Sequence, residues 1–142
     1  MDPLGAAASV IAVIQISAKV FDICRKYYME VKDARKDIQA LRDEMISLQD
    51  VLINVADLAD APGSENLAVL QLLEKADGPI QQCDDYLNVL LVKLEGGRKE
   101  KMRQFGLRAL KWPFSNQEVM NIIVMIERYK GTFNLTLNTD QT

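Results

Sequence analysis

The sequence predicts an all-α fold, a four- to five-helix antiparallel bundle in which residues 1–142 form a single domain. Three observations carry that prediction. Apolar residues make up 49% of the chain and aromatic residues only 6%, so the core must come from Leu, Ile, Val, Ala and Met, which suits interlocking helices better than a β-sandwich. Two long runs repeat apolar residues at alternating spacings of three and four, the period of a helical seam. The prolines at 3, 62, 79 and 113 interrupt neither run. A chain of 142 residues can bury such a core without disulfides or metal.

The first element is predicted from Leu4 to Tyr28. Leu4, Ala8, Ile11, Ile14, Ala18 and Phe21 give one stripe, while Val10, Val13, Ile16 and Val20 make the other faces apolar too. A helix apolar all round is either central to a bundle or destined for another apolar environment. The second element has the clearest signal. Val31, Ala34, Ile38, Leu41, Met45, Leu48, Leu52, Val55 and Ala59 form an unbroken seam, with charged residues on the other faces and Pro62-Gly63-Ser64 as the stop.

Between residues 65 and 95 the pattern allows one kinked helix or two. Leu67, Leu70, Leu73 and Ala76 suggest a short piece, and Ile80, Cys83, Leu87, Leu90 and Leu94 a longer seam. Asp77-Gly78-Pro79 opens that seam, with Pro79 suited to the first helical position, and Gly96-Gly97 is expected to close it. The last element starts at a capping box, Ser115 with Glu118, flanked by Phe114 and Val119 as a hydrophobic staple. Its stripe runs through Ile122, Ile126, Tyr129 and Phe133, and the Thr-rich end after Gly131 is expected to fray. Short connections favour antiparallel neighbours.

Little in the sequence points to catalysis. The chain has no histidine, the commonest general base and metal ligand. No Gly-rich phosphate loop, nucleophile elbow or calcium loop is present. Asp84-Asp85 is the tightest acidic pair, but adjacent helical positions diverge, so it reads as a solvated face. A net charge of -3 offers no broad field for nucleic acid. Cys24 and Cys83 match no metal or redox spacing and read as buried thiols in a reducing, cytoplasmic compartment. With Asp2 the only early charge, the N-terminus lacks the basic region of a secretory signal. The expectation is a non-enzymatic chain with no cofactor.

Two stretches are candidates for contact with a membrane or partner. One is the basic segment Arg98 to Lys111, where Arg98, Lys99, Lys101, Arg103, Arg108 and Lys111 stand against Glu100 alone and Trp112 follows. Such a stretch can lie on an anionic bilayer, or it can serve as a solvated connector whose aromatics cap the bundle. The other is the first helix, through Leu4, Val10, Ile11, Val13 and Ile14. Its apolar run of about 15 residues spans only about 22 Å, short of the roughly 30 Å hydrocarbon layer.

The opening Met1-Asp2-Pro3-Leu4, followed by Ala7 to Ile11, carries a resemblance. So do Val31-Lys32-Asp33-Ala34, Leu110-Lys111-Trp112-Pro113-Phe114 and Ile126-Glu127-Arg128-Tyr129-Lys130. Together they resemble the fungal N-terminal domain of STAND (NOD-like) and ankyrin-repeat proteins, related to HeLo-like helical domains. The resemblance implies a HeLo-like bundle at the N-terminus of a longer protein, followed by a nucleotide-binding or repeat region. It implies an effector in programmed cell death or heterokaryon incompatibility, acting by self-association and by reaching a membrane on activation. The contrasting expectation is a protein-binding or scaffolding bundle without membrane activity.

Overall fold

The computed structural model describes residues 3–60, 70–105 and 111–140, with side chains over 8–59, 70–98 and 111–137. These residues are dominantly helical, and none of them forms a strand. Four helices organise them: α1 (Pro3–Glu30), α2 (Arg35–Asp60), α3 (Pro79–Phe105) and α4 (Asn116–Asp140). A further helical stretch, 70–74, is separated from α3 by a turn, so the region is two helices and not one kinked helix.

Helices α1 and α2 form an antiparallel hairpin through a turn at 31–34. α3 packs on α1, α4 packs on α2, and α3 and α4 touch more lightly. Side-chain pairs show the directions. Tyr27 meets Leu94 and Glu30 meets Arg98, so α1 and α3 run the same way. Asp37 meets Asn116 and Glu44 meets Lys130, so α2 and α4 do likewise. The path is therefore up–down–up–down, with consecutive helices antiparallel.

The α2 seam is the centre of the core. Ile38, Leu41, Met45, Leu48, Leu52 and Val55 have no exposed surface. The same core takes in the α3 seam, from Ile80 through Cys83, Leu87 and Leu90 to Leu94, and Ile122, Ile126 and Phe133 of α4. Burying each such side chain contributes about 2 kcal/mol, so the seams supply the stability of the domain. The capping box forms as read: Ser115 Oγ accepts from the Glu118 amide at 3.1 Å, and Glu118 Oε1 accepts from the Ser115 amide at 3.2 Å.

Three expectations are corrected. The second helix begins at Arg35 and not Val31, because Ala34 takes a left-handed φ of 63° and ends the turn. Val31 still enters the core, its amide bonded to the Tyr27 carbonyl at 2.8 Å. Gly96-Gly97 does not close α3, which continues to Phe105. Gly97 lies where Tyr27 Oη comes within 3.4 Å of the position a Cβ would take, so α1 can sit close on the glycine surface. The last helix does not stop after Gly131. Phe133 anchors it in the core, and the Thr132 and Thr136 hydroxyls donate to carbonyls one turn back.

For α1, where the sequence is apolar on every face, the structure shows which stripe builds the core. Its core stripe is Val10, Val13, Ser17, Val20, Cys24 and Tyr27, all with no exposed surface. Ser17, the one buried polar residue among them, is satisfied by donating to the Ile14 carbonyl at 2.7 Å. Along the other apolar stripe Ala8, Ile11 and Ala18 are exposed, and Ile14 and Phe21 are half-buried against the core. The Leu4 side chain lies outside the described residues.

Candidate functional site

The outward stripe of α1 makes the hairpin the most distinctive surface of the domain. Tyr28, Phe21 and Ile14 recur every seven residues along one flank of α1, and Arg42, Gln49 and Ala56 along the matching flank of α2. Tyr28 fixes the register, because the Arg35 guanidinium lies 5.1 Å from its ring centroid and that of Arg42 lies 5.4 Å away. Ile11 and Ala18 lie just outside this flank on α1, and Ile46 and Ile53 on α2. The three isoleucines are 45%, 42% and 46% exposed, too much for core residues. α3 and α4 approach from the opposite flank, meeting Ile23 and Glu30 of α1 and Asp37 and Glu44 of α2. No described helix covers the apolar flank.

The far end of the bundle is closed by aromatics. The Tyr27 hydroxyl donates to the Leu94 carbonyl at 2.7 Å, and burial pushes its ionisation up to about 12. Trp112 stands edge-on to Tyr27 at 5.2 Å and to Phe114 at 5.4 Å. Beside them Arg98 and Glu30 join α3 to α1 at 2.7 Å. A cleft of about 260 Å³ between these helices is lined by Lys19, Asp22, Ile23, Lys26, Glu95 and Arg98. Its cations and carboxylates alternate, so it selects for neither strongly charged class of ligand. Sequence reasoning missed this cleft, since its residues come from two helices and form no local motif.

The family of the chain follows from comparison with known proteins. A model described as pigment biosynthesis cluster protein PigL N-terminal matches residues 1–141. The chain belongs to the PigL_N family. That agrees with the resemblance at its coarser level, a fungal N-terminal helical domain. No curated protein and no solved structure matches the chain.

In this PigL_N domain the predicted contact residues separate into groups. Ile11 is on the surface and Ile14 half out of it, beside α2. Val10 and Val13 are core residues, so α1 could present them only by leaving the bundle. Arg98 is held by Glu30, and Trp112 is buried, where it closes the bundle end and is not an exposed interfacial anchor. Lys111 is exposed. Lys99, Lys101 and Arg103 fall on α3, so this part of the basic segment is helix and not a connector; their side chains, and all of Arg108, lie outside the described residues. No described helix is long and apolar enough to cross a membrane. No described group of His, Cys, Asp or Glu could hold a metal ion.

Proposed function

We propose that this chain is a non-enzymatic N-terminal signalling domain, of the HeLo-like kind that precedes nucleotide-binding or repeat regions in fungal STAND proteins, and that it acts by self-association. The single observation that supports the reading most is the doubled apolar character of α1. One stripe builds the core; of the second, Ile14 and Phe21 pack partly against that core, while Ile11, with Ile46 and Ile53 of α2, remains on the surface. A domain whose only task was to fold would gain little from these exposed isoleucines, whereas an apolar patch rimmed by polar residues is the usual mark of an interaction site. The family description, the N-terminal part of a pigment-cluster protein, supports a domain that leads a longer chain.

The test pairs light scattering with leakage from anionic vesicles. Association that rises with concentration and leaves vesicles intact supports the reading. Leakage caused by the monomer would replace it with direct membrane action, and neither effect would defeat it.

A further inference from the structure

We propose that the flank of the α1–α2 hairpin left open by the described helices is where two copies of this chain pair, head to head about a two-fold axis lying along the helices, with Arg25 of each copy against Asp43 of the other. The proposal rests on the self-association reading and adds where and how the copies meet.

The size of the flank suits a second copy. From Ile11 to Tyr28 it extends about 26 Å at 1.5 Å per residue. It is two helices wide, roughly 20 Å with axes about 9 Å apart. That is about 500 Å² per copy and about 1,000 Å² in the pair, the lower limit for a specific interface. Pairing is therefore expected at micromolar concentration.

Charge selects the occupant. The outer edge of α2 carries Asp43, Asp50 and Asp57 at seven-residue intervals, all exposed, and this acidic row opposes seating on an anionic bilayer. The row of α1 that matches Ile46 and Ile53 of α2 carries Ile11, Ala18 and then Arg25. Because Tyr28 lies between Arg35 and Arg42, residue 25 of α1 is level with 41–42 of α2 and so beside Asp43 in height.

Charge and direction also select the arrangement. A two-fold axis along the helices lays each α1 on the other copy's α2 without changing height, so Arg25 and Asp43 meet twice. The reversed arrangement lays α2 on α2 and brings aspartate rows together, which is repulsive. The head-to-head pair also alternates helix direction around all four helices, the arrangement of an antiparallel bundle. Within one copy Arg25 already touches Asp22 at 3.3 Å and Asp43 lies 3.9 Å from Arg42, but Arg25, Asp22 and Asp43 are about half exposed or more and such contacts hold weakly.

Sedimentation velocity on the chain and its variants tests this. Ile46→Asp/Ile53→Asp should be monomeric with an unchanged melting temperature, since both residues are exposed in the monomer. Arg25→Asp and Asp43→Arg should each weaken pairing about tenfold, two surface ion pairs being turned repulsive. An equimolar mixture of these two variants should pair as wild type does, because each mixed dimer restores both contacts. A monomeric wild type would defeat the self-association reading itself. Association that survives Ile46→Asp/Ile53→Asp would leave that reading standing and overturn this surface, and a mixture that fails to recover would overturn the head-to-head arrangement. Wild type that stays monomeric but binds anionic vesicles through the two isoleucines would give the flank to a membrane and overturn the pairing.

Discussion

Gly96 lies inside α3 with no heavy atom, apart from its chain neighbours and the adjoining helix backbone, within 4 Å of the position a Cβ would take. Gly96→Ala therefore adds a methyl group to open space. It removes the backbone freedom that glycine keeps in the unfolded chain, which in a helix interior is worth about 1 kcal/mol. With no clash to subtract, the gain should reach the protein nearly whole, and for a domain of this size it raises the melting temperature by about 3 °C. Two other glycines serve as controls. At Gly97 the new Cβ would touch Tyr27 Oη at 3.4 Å and Pro113 Cβ at 3.7 Å, so Gly97→Ala should gain less. At Gly78 it would lie 2.8 Å from the Lys75 carbonyl oxygen, a backbone atom, and Gly78→Ala should lower the melting temperature. Thermal melting by circular dichroism gives the three shifts. A fall at Gly96→Ala equal to that at Gly78→Ala would show that the chain breaks at the glycine pair, and would refute the continuous α3.

Three further outcomes are expected. Leu41→Asp or Leu87→Asp places a charge where no surface is exposed, costs several kcal/mol and unfolds the domain; an unchanged helical melt would mean that the seam faces solvent. Burial, helped by hydrogen bonding with Glu127 and opposed by Lys130, raises the Glu44 carboxyl from 4.5 to about 7. The folded chain thus keeps a proton that the unfolded chain releases, so this group's contribution to stability falls as pH rises from 4.5 towards 7. Glu44→Gln cannot ionise and should flatten that fall in melts taken across the window, whereas an equal slope in both proteins contradicts it. Burial pushes the Cys24 and Cys83 thiols up to about 12, so a thiol reagent at neutral pH should label them only on unfolding; fast labelling of the native chain would place them at the surface.

The seams of α2 and α3 were legible because each contrasts one apolar stripe with charged faces, and the Ser115–Glu118 cap because its signal is local. The face of α1 was not, because both its stripes are apolar and periodicity alone cannot choose between them. One signal was available: continued past Phe21, the outer stripe reaches Arg25, whereas the inner one continues to Cys24, Tyr27 and Val31. Gly96-Gly97 misled because composition cannot report that Tyr27 and Pro113 come close beside it. The Arg98–Glu30 pair joins residues 68 apart, beyond any local pattern. The exposed flank emerged only once α3 and α4 were known to share the other side.

Sedimentation equilibrium of the unmodified chain across the micromolar range tests the central claim most directly. The account predicts an average mass that climbs from the monomer value of 16.0 kDa towards twice that as concentration rises. A mass fixed at 16.0 kDa throughout the range would contradict it.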